Sequence, residues 1–293
     1  MQRTTLGKTA LQVSRLGAGL AEIGALDDLS TASRVLNAAL DGGITFLDTA
    51  PCYDKSEEWI GRSIAHRRHE YVLATKAGHV IDGYKGREWT ATTIVDSIER
   101  SLKRVRTDYL DLVQLHSCSV EVLERGEVIQ ALLDARRAGK ARYIGYSGDL
   151  KGARWAIDSG TFDTIQVTLN LVDQWARWDV LPQAKAAGMG VIAKRPIANA
   201  AWGAPPSRDP VREGYRQGAQ AMIDMGPIPQ APEDPILLAL GFVLAHPEID
   251  TAIVGTANPQ HMEANIARVE NELPIPAEAV RELHRRFDEM ARG

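Results

Sequence analysis

Two cysteines in 293 residues, Cys52 and Cys118, are too few for a disulfide-stapled secreted scaffold and fit a reducing, cytoplasmic setting better. Charge of one sign is also missing. Thirty-four basic side chains meet thirty-eight acidic ones, a net charge of −4, which argues against a general electrostatic grip on nucleic acid or anionic lipid. There is no long hydrophobic run. The N-terminal "MQRTTLGKTALQVSRLG" has no apolar signal core, and the longest apolar stretch, "PILLALGFVLAH", is too short to span a bilayer. Low-complexity segments, literal repeats and shifts of composition are absent, so residues 1–293 read as one domain. With 44% hydrophobic residues the chain can bury a sizeable core without metal or disulfide staples. We expect a monomer or weak homo-oligomer acting on a small molecule.

What the chain does have is alternation. Short β-branched or leucine-rich runs at 14–20, 44–49, 71–76, 110–116, 141–147, 164–170, 190–196 and 251–256 alternate with longer amphipathic stretches. Eight such strands are the number that closes a parallel barrel of this length. Helical spacing is clear in "LSTASRVLNAALDGG", with its glycine stop, and in "TATTIVDSIERSLKRV", with its threonine start. Gly139 stands where a helix C-terminus wants positive φ. The fold class is therefore α/β, a single (β/α)8 barrel. An N-terminal hairpin turning at Gly7 and Lys8 plugs one mouth, and "PAEAVRELHRRFDEMARG" supplies a closing helix. Residues 197–234, with prolines at both ends and a helix around "REGYRQGAQAMI", form a long loop of the kind that binds or covers a site.

Barrel sites are built at the C-terminal ends of the strands. Asp48 ends the second strand, Tyr53 follows on its loop, Lys76 ends the third and His116 ends the fourth. Taken singly, each has a plain structural explanation: a capping acid, a half-buried phenol, a strand-end cation, a hydrogen-bonded histidine. Taken together, they converge in a small volume. A nearby ammonium favours phenolate, so Lys76 is expected to make Tyr53 a better acid, with Asp48 keeping the lysine charged. A neutral His116 can orient an oxygen through one N–H. Such a set gives a proton to an oxygen. A carbonyl receiving hydride is the obvious recipient, and since side chains carry no hydride a nicotinamide must bring it.

The stretches "FLDTAPCY" with "KSEEWIG", "LATKAG", "SLKRVRTDYLDLVQLH", "YIGYSGD", "QVTLN" and "IVGTANPQHMEAN" resemble, in order and spacing, the aldo-keto reductases over essentially the whole chain. The resemblance implies a barrel that binds NADP(H) in extended form without a Rossmann motif, and a tetrad of Asp48, Tyr53, Lys76 and His116 with Tyr53 as general acid. It also implies that Ser147 and Gln166, with Asp48 beside them, hold the nicotinamide carboxamide, with Leu20 and Ala21 near the nicotinamide edge. Gly148 stands where most members have asparagine, so that contact is missing or falls to Asp149 or water. Lys194, Arg195, Pro196 and Ile197 occupy the stretch where many members place a stacking aromatic. Arg195 can stack instead or face the pyrophosphate. Gly255, Thr256, His261 and Asn265 match the adenosine and 2′-phosphate segment. The basic residues many members carry there are replaced by Gly255, Ala257 and His261, which leaves NAD(H) or dual use open beside NADP(H).

Six tryptophans are many for a chain with 6% aromatics. Trp59 fits a helix core, whereas Trp89 and Trp202 fall in loops and are the expected walls of the substrate pocket. The closing helix runs almost to the terminus, so selectivity is expected from 197–234 and from the loop after Lys76. No catalytic role is assigned to Cys52 or Cys118. Rival readings are a Schiff-base aldolase using Lys76, a lyase or isomerase using Tyr53 without a nicotinamide, and a non-catalytic, cofactor-binding channel-subunit-like protein. Pairing with Asp48 opposes the first. The short N-terminus opposes the last.

Overall fold

A computed structural model describes every residue except 82, 149 and 293. Eight parallel strands form a closed barrel: β3 (Leu16–Gly19), β4 (Phe46–Asp48), β5 (Val72–Ala77), β6 (Leu110–His116), β7 (Ala141–Ser147), β8 (Thr164–Thr168), β9 (Gly190–Lys194) and β10 (Thr251–Gly255). Each strand pairs with the next, and β10 pairs with both β9 and β3, so no edge is left open. Several strands are shorter than the sequence suggests. Residue 14 belongs instead to a hairpin, β1 (Arg3–Thr5) with β2 (Gln12–Ser14), where Ser14 pairs with Arg3.

The hairpin turns at Gly7, whose φ is +53°, and Lys8, closed by the Thr9 N–H donating to the Leu6 carbonyl. It seats Leu6, Leu11 and Val13 against Phe46, Leu112, Ile192 and Ile253, and so plugs the N-terminal mouth. Chemistry is thereby confined to the other end.

Around the barrel lie α1 (Ala21–Gly24), α2 (Leu29–Asp41), α3 (Ser56–Ser63), α4 (Ala91–Val105), α5 (Val120–Arg125), α6 (Glu127–Arg137), α7 (Leu150–Asp158), α8 (Val180–Ala186), α9 (Pro210–Asp224), α10 (Pro235–Leu244), α11 (Pro259–Asn271) and α12 (Ala277–Met290). Their starts follow local chemistry. The Asp28 side chain accepts from the N–H groups of Ser30 and Thr31, and Thr90 accepts from that of Thr93. Proline in the first turn sets α9, α10 and α11 behind Asp209, Asp234 and Asn258. The helix expected within 197–234 is α9, which starts two residues earlier than its apolar spacing shows because Asp209 caps it. The apolar run of α10 is buried against the barrel. None of the described helices is long and apolar enough to cross a membrane.

Candidate active site

Strand register sets a ring of side chains at the open mouth. Gly19 pairs with Asp48, Lys76 with Gln114, His116 with Ser147, Ser147 with Gln166 and Gly255 with Gly19. Side chains two apart on a strand share a face, so Gln114 enters the barrel with His116. That spacing was visible in "LDLVQLH", and Gln114 is one site residue absent from the expected set.

Lys76 is 1% exposed and Asp48 2%. The ammonium donates to Asp48 Oδ1 at 2.5 Å and to the Thr49 carbonyl at 2.9 Å, and it lies 4.8 Å from the centre of the Tyr53 ring. Asp48 Oδ2 accepts from Gln166 Nε2 at 2.8 Å and Gln114 Nε2 at 3.2 Å, while the Ser147 hydroxyl donates to Gln166 Oε1 at 2.8 Å. Both oxygens of the carboxylate and two donors of the ammonium are thus engaged, the condition under which such a buried pair is tolerated. Burial pulls the Lys76 pKa down. Asp48 and Tyr53 together outweigh it and hold the lysine above its ordinary value, hence charged.

Tyr53 departs from the expectation. Burial pushes its phenol up, Lys76 pulls it down, and burial wins, so the hydroxyl stays protonated above the ordinary tyrosine range. Because an ammonium has no lone pair, Lys76 cannot accept from the phenol, which leaves the Tyr53 proton available to another acceptor. The His116 ring meets Tyr53 edge to face at 5.8 Å. Burial, reinforced by Lys76, His79 and Lys194, pushes His116 down to about 2, so its imidazole is neutral. Cys118 is buried, but Cys52 is exposed and its sulfur lies 3.5 Å from His116 Nδ1, a contact spanning 64 positions in sequence.

From Tyr53 and His116 a cavity of about 830 Å³ runs across the strand ends to α11. It gathers Leu20, Ala21, Asp48, Ser147, Gln166, Lys194, Arg195, Pro196, Ile197, Gly255, Thr256, His261 and Asn265. Arg195 sits at φ +55° with Nη1 3.4 Å from the Tyr215 hydroxyl on α9. Glu22, Arg212 and Arg268 also line it. Of these, Arg268 follows His261 and Asn265 at helical spacing on α11 and was readable, whereas Glu22 and Arg212 gave no signal. Arg268 is tied to Asp234 at 2.7 Å, and a Cβ on Gly255 would stand 2.0 Å from Glu22 Oε2. Where an asparagine is expected, a Cβ on Gly148 would meet the Tyr146 hydroxyl at 2.3 Å, so that space is already filled. Asp149 lies outside the described residues.

Neither tryptophan expected as a pocket wall lines the large cavity. Trp202 faces a separate cavity of about 130 Å³ between Leu171, Ile197 and Ala239. Trp89 lies on Gly78, where a Cβ would be 1.9 Å from its ring, and backs His79. Trp202 is drawn to apolar neighbours, whereas Trp89 packs on Gly78 and His79 beside the mouth.

A closed α/β barrel with a charged lysine under a protonated phenol, opening into a long cavity with basic walls, is the arrangement of a barrel-type oxidoreductase. The Aldo/keto reductase family profile matches residues 15–285, and the chain belongs to that family. It is 30% identical to L-galactose dehydrogenase of Arabidopsis thaliana over 284 residues, 90% of this chain and 86% of that protein. It is 29% identical to the oxidoreductase YqkF of Bacillus subtilis, covering 91% of this chain and 90% of that one. Among solved structures, the holo form of aldo-keto reductase AKR11C1 from Bacillus halodurans superposes with a TM-score of 0.82 at 26% identity, covering 98% and 96% of the two chains.

Proposed function

We propose that the protein is an NADP(H)-dependent reductase that converts an aldehyde or ketone to an alcohol, or the reverse, with Tyr53 giving the proton. The observation that carries this reading is the Lys76 contact with Tyr53. A charged lysine beside the phenol, 4.8 Å from the centre of its ring, stabilises the phenolate left behind when the proton departs. The elongated cavity and its polar lining fit a nicotinamide nucleotide, with Ser147 and Gln166 at the ring end, Lys194, Arg195 and Arg212 midway, and Thr256, His261 and Asn265 at the adenosine end. When bound, the reduced nucleotide supplies the hydride.

The chain's own residues manage the oxygen. Neutral His116 donates one N–H to the carbonyl oxygen and orients it. As charge builds on that oxygen, Tyr53 releases its proton to it, and Lys76 holds the resulting phenolate. An alkoxide is a far stronger base than a phenolate, so the transfer runs downhill even from a phenol whose pKa burial has raised. Positioned proton donation of this kind is worth about 10² to 10⁴ in rate. The charged state of Lys76 speaks against a Schiff-base nucleophile, which must be neutral.

One observation favours NAD(H) as a second reading. Glu22 lies against Gly255, where a carboxylate disfavours a 2′-phosphate. Tyr53→Phe tests the main proposal: NADPH-dependent carbonyl reduction should fall at least 100-fold while nucleotide affinity, read by fluorescence, changes little. Full activity in that variant would remove Tyr53 from the proton-donor role.

A further inference from the structure

We propose that the site prefers a carbonyl compound bearing a hydroxyl on the carbon next to the reacting one, and that His79, held by Glu88, reads that hydroxyl. The inference rests on the carbonyl-reductase reading above. It starts from the loop after β5. Gly78 takes φ +125°, which only glycine adopts easily, and its Cα makes room for the Trp89 ring. The Trp89 N–H closes the loop on the Gly78 carbonyl at 3.2 Å. Trp89 thereby backs His79 at 4.9 Å, and His79 meets His116 edge to face at 5.2 Å. The sequence Trp89, His79, His116, Tyr53 forms a chain of ring contacts ending at the proton donor.

The His79 tautomer follows from its partner. Glu88 Oε1 lies 2.9 Å from His79 Nδ1 and also takes the Val80 N–H at 3.3 Å. A carboxylate accepts only, so Nδ1 carries the hydrogen, and in the tautomer this selects Nε2 is the acceptor. No described residue bonds Nε2. The cavity that fits the nucleotide is lined from β3, β4, β6 to β10 and α11 and by no residue of β5, so the remaining substituents of a carbonyl held by Tyr53 and His116 are left the β5 side, where His79 stands beside His116.

An adjacent hydroxyl can donate to Nε2. An alkyl group there leaves that nitrogen desolvated and unpaired, which is how sites built for a hydroxyl reject the analogue lacking it. The Glu88 charge sets the dyad against a carboxylate or phosphate at the same place.

Glyceraldehyde and propanal differ in hydroxylation at equal carbon count. We expect kcat/KM to favour glyceraldehyde by about tenfold, the ratio to collapse towards one in His79→Leu, and His79→Asn to keep most of it. A ratio that His79→Leu leaves unmoved overturns the inference. Reduction of neither aldehyde would count against the reductase reading itself. The contact is then decided by ¹⁵N NMR of the His79 ring, titrated with glycerol and with 1-propanol. A shift of Nε2 with glycerol alone supports it, and no shift with either overturns it.

Discussion

Burial and a neighbouring ammonium pull Tyr53 in opposite directions, and the balance fixes how the site should respond to pH. The phenol lies above its ordinary value of about 10, so reduction, which needs it protonated, should be flat through neutral pH and fall only in stronger alkali. Lys76→Met removes the pull downward. The phenol then becomes a weaker acid, the alkaline limb moves up, and the chemical step slows; a pH profile of single-turnover reduction checks both, and an unmoved limb would uncouple the two residues. The same variant strands Asp48 without its cation, at a cost of about 3–5 kcal/mol, and Asp48→Asn with Lys76→Met should recover part of that in urea unfolding. The folded Lys76 pKa is raised, so the pair's stability contribution is complete below the unfolded lysine value and is lost only as pH rises through the folded one. At neutral pH it is at full strength. At this scale the four polar residues were legible because each lies at the C-terminal end of a strand or on the loop that follows it. The sign of the Tyr53 shift was not, since it depends on burial by loops that no local pattern describes.

Elements were legible where periodicity or capping marks them and obscure where packing decides. The eight strands, the hairpin turn at Gly7 and Lys8, and α9 were all readable from local pattern. The facing of Trp89 and Trp202 was not, because it depends on Gly78 and on apolar partners in Leu171 and Ala239, remote in sequence. Nor did α12 announce its main task. Arg286, in an otherwise ordinary amphipathic helix, is 1% exposed and donates to the carbonyls of Met222, Gly226 and Pro227 at 2.6, 2.7 and 2.9 Å, with Nε on Glu282 at 2.8 Å. One guanidinium therefore clamps the end of α9 and the turn after it onto α12. Arg286→Leu leaves those buried carbonyls without donors and should cost about 3–5 kcal/mol in chemical denaturation. Because α9 carries Arg212 into the cavity wall, the variant should also weaken nucleotide binding. Stability loss with unchanged affinity would show that the clamp does not reach the site.

At the scale of the whole molecule, the alternation of strands and helices was enough to close the barrel, and barrel geometry was enough to put the site at one end. Cofactor choice was not legible, because it turns on the distance between Glu22, on α1 just after β3, and Gly255, at the end of β10, which only ring closure brings together. The cavity touches β3, β4, β6 to β10 and α11, so a ligand filling it ties the first barrel strand to the last. Nucleotide at one hundred times its Kd should therefore stabilise the fold by about 2.7 kcal/mol, on the order of 5 °C in Tm. NADPH should shift Tm more than NADH at equal concentration if Arg268 outweighs Glu22 at the adenosine end. Arg268 is already paired with Asp234, so the margin is small and Glu22 controls it. Glu22→Gln should tighten NADPH by about two- to fivefold, the worth of one partly screened charge, and leave NADH nearly unchanged, since only NADPH carries the extra phosphate. Equal tightening of both nucleotides would place the carboxylate beside the shared pyrophosphate instead, and a larger shift with NADH in the unaltered protein would make NAD(H) its cofactor.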